Sequence, residues 1–526
     1  MANARRLLED VARQLAERDE HARGLPAASP PGAHRRLCIG ISTYDDYDGV
    51  WFTIQSVRLA HPEVADDISF IVIDNHPEGP AAVHLKGLEE RVPQFRYVPF
   101  RGYRSTAVRD LLFREADADI VLCLDGHVML EPGAISALLG FFDEHPDSCD
   151  LIQGPLLDDS LGFVVGTHLD PTWGAGMYGR WAVDPRGEDR TGDPFEIEMN
   201  GLGLFACRKD AWVGINPRFR GFGGEEGYVQ AKFRKRGDRV LCLPALRWIH
   251  RFARPHGAPY RPQWADRVRN YRFGWTEVGW DVAEMEDHFR DHLGHGENIE
   301  QMIAATARQA DNPISYFDAI FCLNLDEDTV RWQQMRDRFA LLDIDWRVER
   351  FPAISTPSDH HFGCAQSWRQ MVATADARGY DHVLIFEDDA IFLDDTRTVL
   401  RTAIDELAGI EWDLCFLGAC VHAHEFPLLP GRTALQECGP VTCTHALAVH
   451  RRAFAQILAD IPDSPPGGED AIAEWLREWL AIDQYFSRRI GDGTFRAVIT
   501  TPRVATQPAL RNFADADLAL ADRYVI

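Results

Sequence analysis

Basic residues are scarce in this chain: 55 Lys and Arg stand against 81 Asp and Glu, a net charge of −26 with histidine neutral. A field of that sign repels phosphate backbones and anionic lipid surfaces, so no nucleic-acid partner is expected. Short basic runs such as Arg35-Arg36 and Phe233-Arg234-Lys235-Arg236 read as solvated faces. The 11 cysteines include no CxxC pair, and Cys38, Cys123 and Cys322 lie inside apolar runs, where a reduced thiol packs as a small hydrophobe. No apolar stretch approaches the roughly 18 residues needed for a transmembrane helix, and the N-terminus lacks the apolar centre of a signal peptide. The expectation from these absences is a reducing, cytoplasmic setting. His360, His361, His422 and His424 match no closed zinc spacing.

What is present is an ordinary globular composition, 45% hydrophobic and 26% charged, in a chain of 526 residues. That length exceeds what one core usually serves, so two domains of roughly 200 to 250 residues each are expected. Leu7, Leu8, Val11 and Leu15 recur at helical spacing and predict an amphipathic helix that lies on the first domain or on another subunit. A Pro-rich linker follows and closes a segment 1–34. Short apolar runs at 37–42, 68–73 and 120–124 alternate with helical patterns, which predicts a mostly parallel sheet covered by helices over 35–255. Segment 256–312 reads as a helical connector, with helices near 263–271 and 282–308. The alternation restarts over 313–526, with strands expected at 319–325, 382–386 and 414–417.

The run 120–124 ends at Asp125-Gly126-His127, which projects a carboxylate and an imidazole from the carboxyl end of a buried strand, the edge where α/β sheets bind ligands. An Asp with a His suits Mn2+ or a similar borderline cation. Several nearby groups belong with this pair. Ile73-Asp74-Asn75 ends another strand, and Met199-Asn200-Gly201-Leu202-Gly203 permits close backbone approach. Gly221-Phe222-Gly223-Gly224-Glu225-Glu226 sets two carboxylates after a turn, and Trp248-Ile249-His250 offers a further ligand.

These motifs resemble glycosyltransferase family 2 and the related polypeptide N-acetylgalactosaminyltransferases, which share the GT-A fold, over about 35–255. The resemblance implies that Asp74 lies against the nucleotide base and that Thr43, Arg109 and Gly203 belong to the nucleotide-sugar site. It places Asp125 and His127 at the metal position, with His250 as third ligand, and Glu225 and Glu226 on the acidic motif that approaches the acceptor. Glu226 is the favoured base. Inverting members usually carry Asp there, so this departure leaves the stereochemical outcome open.

A second apolar run, 382–386, discharges into Glu387-Asp388-Asp389, two of whose carboxylates, Glu387 and Asp389, could share a metal with a diphosphate. Over about 317–510 the chain is similar to glycosyltransferase family 25, the lipopolysaccharide and collagen galactosyltransferases. The similarity lies in Phe321-Cys322-Leu323-Asn324-Leu325-Asp326 with Arg331, in Gly363-Cys364-Ala365-Gln366-Ser367, in Glu387-Asp388-Asp389, and in Thr444-His445-Ala446 and Ile482-Asp483. It implies a nucleotide-sugar role for Asn324, metal ligation by Glu387 and Asp389, and acceptor contact by Asp483. Trp368 stands where that family has His, and Asp326-Glu327-Asp328 replaces a more basic loop.

The resulting expectation is two GT-A domains in tandem joined by a helical connector. They would transfer hexose or N-acetylhexosamine from a UDP-sugar, with Mn2+ or Mg2+, to a glycan, lipopolysaccharide-type or polypeptide hydroxyl. Three alternatives stay open: a single active first domain beside a degenerate second one, a carbohydrate-binding protein without turnover, and a nucleotidyltransferase. The last is disfavoured because no Gly-rich phosphate loop with a following Lys lies near the first strand.

Overall fold

A computed structural model of the chain describes residues 34–252, 262–356, 360–393, 395–421, 426–463 and 469–507. The amphipathic helix and linker expected before residue 34, and His422 and His424, lie outside the described residues. The α/β class read from the sequence holds, with one large sheet in each half.

The first sheet has eight strands in the order Phe195–Glu196, Val240–Cys242, Leu151–Gln153, Leu204–Arg208, Ala118–Leu124, Arg35–Thr43, Ile68–Asp74 and Phe95–Pro99. Arg35–Thr43 pairs in parallel with both Ile68–Asp74 and Ala118–Leu124, while Leu204–Arg208 runs antiparallel to Ala118–Leu124. The apolar run in Ala118–Leu124 is continuous because both faces are covered. Ile120, Leu122 and Leu124 enter the core under helix Tyr47–Ala60, and Val121 and Cys123 enter the opposite core with Leu111, Leu112 and Phe113 of helix Arg109–Glu115. The thiols of Cys38 and Cys123 are buried in this sheet, and burial pushes each up to about 12.

In the second half, a seven-stranded sheet has the order Val348–Pro352, Ala319–Asn324, His382–Glu387, Thr442–His450, Leu414–Cys420, Ala497–Thr500 and Leu435–Glu437. Its centre repeats the arrangement of the first. Ala319–Asn324 is flanked in parallel by two strands, and one of them, His382–Glu387, carries the acidic end and meets an antiparallel neighbour, Thr442–His450. Val383 and Ile385 face one core, Leu384 and Phe386 the other.

Between the sheets run helices Trp264–Val278, Val282–Leu293 and Glu297–Ala310. The first is covered all round, from Arg267 through Trp275, and rests on helix Tyr228–Arg236 of the first half, with Gly274 against Phe219 and Tyr228. Phe273 stacks on Trp346 at 5.8 Å, and Arg269 lies 4.2 Å from the same ring, so this helix also ties the first half to the second. Among the described residues no helix is long and apolar enough to cross a membrane.

Candidate active site

The carboxyl ends of the parallel strands in the first sheet open into a cavity of about 870 Å³. Thr43, Asn75 and Asp125 reach it from three adjacent strand ends, and Arg101, Arg104, Arg109, Arg220 and Arg347 contribute guanidinium-bearing walls. Asp46, Glu78, Asp125, Asp266 and Glu349 line it as well, so guanidinium forks, which match phosphate oxygens, alternate with carboxylates around the wall.

Asp125 follows Leu124, and its amide donates to Gly203 O at 2.9 Å, which anchors the strand end against the antiparallel neighbour. Gly203 leaves room there for the Trp248 ring, which a Cβ would approach to 3.0 Å. Arg109 Nη2 donates to Asp125 Oδ1 at 2.8 Å, and Nη1 donates to Glu225 Oε1 at 3.3 Å. The guanidinium is buried, which by itself would lower its pKa, but Asp125 and Glu225 outweigh the burial and hold it raised.

The strand Trp248–His250 pairs antiparallel with Val128–Leu130, placing His250 opposite Val128 and its Nε2 4.0 Å from Asp125 Oδ2. His127 behaves differently. It takes a left-handed φ of 66°, and its Nε2 lies 2.9 Å from Asp46 Oδ2. Asp46 also caps helix Tyr47–Ala60 by accepting from Gly49 N at 2.9 Å. Of the three expected metal ligands, the structure therefore brings Asp125 and His250 together and turns His127 toward Asp46. Among the described residues no group of three or more His, Cys, Asp or Glu side chains converges as a metal cage.

Glu225 and Glu226 follow Gly223 and Gly224, whose φ values of 97° and 100° are open to glycine alone among common residues. The turn is clamped by Asn270 of the connector helix, which accepts from Arg220 N at 2.9 Å and donates to Arg220 O and Gly223 O at 2.8 Å each. Burial, followed by the charge of Glu225, pushes the Glu226 carboxyl up to about 8. Its Oε2 accepts no hydrogen bond among the described residues.

Asp74 is fully buried, accepting from His76 N at 2.9 Å and Tyr97 Oη at 2.8 Å, and burial raises its pKa. It does not line the cavity; its neighbours Asn75 and His76 do. The His76 ring stacks on Tyr44 at 4.7 Å, 3° from coplanar, and Arg104 lies 5.3 Å from the Tyr44 ring. Sequence reasoning missed Asp46, Tyr44 and His76, although their positions one to three residues beyond strand ends were a usable signal.

In the second half, Glu387 Oε1 accepts from Thr444 Oγ1 at 2.6 Å, and its carboxyl is pushed up to about 7 by burial and then by Asp389 and Asp483. Asp389 is raised by burial, and its Oδ1 accepts no hydrogen bond among the described residues. Asp483 Oδ2 accepts from Cys443 N at 3.1 Å, beside the Cys443 and Cys420 sulfurs, which lie 3.0 Å apart. The three sequence segments that carry Glu387 with Asp389, Thr444, and Asp483 thus meet. The amide of Asn324 is consumed internally: Nδ2 donates to Asp388 Oδ2 and Asp328 O, and Oδ1 accepts from Arg350 Nε at 2.7 Å. Trp368 is fully buried against Phe486.

Residues 38–175 match the family model for Glycosyl transferase family 2. The matched segment carries Asp74 and Asp125 and supports a glycosyltransferase, and the sheet it belongs to is of mixed α/β class. The match ends before the acidic turn and leaves the second half unassigned. Among solved structures the chain is similar to GalNAc-T7 with UDP, GalNAc and Mn2+, at 15% identity and a TM-score of 0.38, over 54% of this chain and 61% of that one. It thus spans less than two thirds of that protein. It is also similar to S. aureus TarS 1-349 in complex with UDP-GlcNAc, at 11% identity and a TM-score of 0.35, over 59% of this chain and 87% of that one. No curated protein sequence matches the chain.

Proposed function

We propose that the first half transfers a hexose or N-acetylhexosamine from a UDP-sugar to a hydroxyl of a glycan, lipopolysaccharide-type or polypeptide acceptor. The observation that carries this reading is the polar cavity, walled by arginines and carboxylates, at the strand ends of a segment that matches family 2. Arg104, over the Tyr44 ring on the cavity wall, holds the diphosphate, Thr43 and Asn75 sit at the nucleoside end, and Glu226, outside the cavity's lining, would turn toward it to remove the acceptor proton once ionised.

Asp125 and His250 supply an oxygen and a nitrogen donor 4.0 Å apart, a pair that fits a divalent cation completed by substrate phosphates and water rather than by a closed protein cage. His127, held by Asp46, would have to leave that bond to join them. A bound Mn2+ or Mg2+ would neutralise charge on the departing diphosphate. Arg109 keeps Asp125 and Glu225 oriented from behind.

The second half is proposed as a second transferase site, with Glu387 and Asp389 in the metal role and Asp483 toward the acceptor. This reading is supported by the charges of Asp389 and Asp483 acting on the buried Glu387 at the end of an equivalent strand. A bracing role without turnover is favoured instead by the full internal use of Asn324. The test is release of nucleoside diphosphate by the full chain across a panel of nucleotide sugars, with and without Mn2+, beside Asp125→Asn and His250→Ala. Undiminished release in both variants would sink the assignment.

A further inference from the structure

Strands Leu414–Cys420 and Thr442–His450 pair antiparallel, with Cys420 opposite Thr442. In a regular ladder the residue after Thr442 would turn its side chain to the other face of the sheet. Cys443 does not. It takes a left-handed φ of 67°, which a residue with a Cβ keeps only where its surroundings enforce it, and its Sγ lies 3.0 Å from Cys420 Sγ. Both residues are thiols in this structure, with their sulfurs about 1 Å beyond the roughly 2.05 Å of a disulfide bond. Small side-chain rotations close that gap without moving either strand.

The surroundings set how the pair reacts. Cys420 is buried and Cys443 half-buried, so a small oxidant meets Cys443 first. Gln507 Nε2 donates to Cys443 Sγ at 3.4 Å, a contact that favours the thiolate. The Cys420 thiol beside it, followed by burial, nevertheless holds the Cys443 thiol above its ordinary value. A small thiolate fraction makes exchange slow, so the pair answers to a sustained redox poise rather than to a brief pulse of oxidant. The backbone joins the pair to the acidic cluster. The Cys443 amide donates to Asp483 Oδ2 at 3.1 Å, and the next residue, Thr444, donates to Glu387 Oε1 at 2.6 Å.

We propose that Cys420 and Cys443 form a reversible oxidation site, a dithiol that closes to a disulfide against small disulfides such as oxidised glutathione. Closure ties Leu414–Cys420 to the segment that holds Asp483 and Glu387. In the first step the Cys443 thiolate attacks one sulfur of oxidised glutathione and expels one glutathione thiolate. The Cys420 thiolate then attacks the Cys443 sulfur of the mixed disulfide, which forms the Cys420–Cys443 bond and expels the second glutathione. Two protein thiols thereby give up two electrons and two protons, and one oxidised glutathione becomes two reduced ones. The site does not depend on turnover in the second half.

The test equilibrates the full chain overnight in glutathione buffers from fully reduced to mostly oxidised, quenches in acid, alkylates in denaturant and maps tryptic peptides by mass spectrometry. Cleavage at Arg401, Arg432 and Arg451 puts Cys420 and Cys443 on separate peptides, 402–432 and 433–451. These peptides are expected alkylated and separate at the reducing end, joined at the oxidising end, and separate again after dithiothreitol. Cys415 and Cys438 lie on the same two peptides, so the variants carry the assignment. Cys420→Ser and Cys443→Ser should each abolish the link, and Cys438→Ser should keep it. Wild-type peptides that stay separate at every ratio overturn the proposal without any variant. A link that survives Cys420→Ser or Cys443→Ser overturns it too, as does a glutathione adduct on Cys443 that never resolves into the link.

Discussion

Arg109 Nη2 donates to Asp125 Oδ1 at 2.8 Å across 16 residues of sequence, and the other end of the same guanidinium holds Glu225 across 116. One buried cation therefore couples the metal-side carboxylate to the acceptor-side turn. Removing it leaves the buried Glu225 without its cation and Asp125 unpaired at the edge of the cavity. Arg109→Met is expected to destabilise the fold by about 3–5 kcal/mol and to cut turnover by at least about a hundredfold. Denaturant melts and initial rates check both. Arg109→Lys, with one ammonium in place of a fork, should recover part of the stability and little of the rate.

Glu226 gives a pH signature whose sign is fixed by its raised pKa. Its ordinary value is 4.5 and its folded value about 8. The proton it retains in the folded chain favours folding at acid pH, and that advantage declines as pH rises from about 4.5 through about 8. As a base it works only ionised, so kcat/KM should climb with pH toward a plateau above about 8. Glu226→Gln should flatten the climb at a low rate and remove this part of the stability decline. A rate profile with the same limb in the variant would assign the limb elsewhere.

Asn270 makes a third prediction. Its amide satisfies three backbone groups of the 220–223 turn, so Asn270→Ala should cost about 2–4 kcal/mol. The loosened turn leads directly into Glu225 and Glu226 and touches the nucleoside end only through Arg220 and Gly221, which meet the loop 103–106. Turnover should consequently fall by more than UDP affinity does, as separate rate and calorimetric measurements would show.

A fourth concerns the second half. If it turns over, Asp389→Asn with Glu387→Gln should abolish use of one nucleotide sugar while the other continues, and should eliminate any disaccharide made from mixed donors. Product analysis by mass spectrometry reads this directly. An unchanged product pattern would leave the second half a brace.

The strand ends were legible because their signals are local. An apolar run such as 120–124 or 382–386 that ends in acids announces both a buried strand and a polar edge, and both runs are strands. Asp125 and His250 were also reachable by residue type. The partner of His127 was not, because Asp46 lies 81 residues away and its proximity depends on how the strand end folds over helix Tyr47–Ala60. The buried course of Asp74 was hidden for a similar reason: Tyr97 reaches it from the neighbouring strand. The connector helix read as a spacer because nothing in its own pattern shows that Asn270 clamps a turn 50 residues earlier. The cavity wall supplied by Val348 and Glu349 of the second half was invisible to any reading that treated the halves one at a time.

Gly102 sits where that wall meets the first half, and a Cβ on it would collide with the Arg378 guanidinium and the Glu349 carboxylate. No backbone conformation demands glycine at this position; the neighbouring half does. A single methyl group at 102 would press first on the Arg378–Glu349 ion pair of the other half, ahead of either sheet's own packing. Residue 102 is in that sense a gauge of docking: whatever prises the halves apart opens the nucleoside end of the cavity with them.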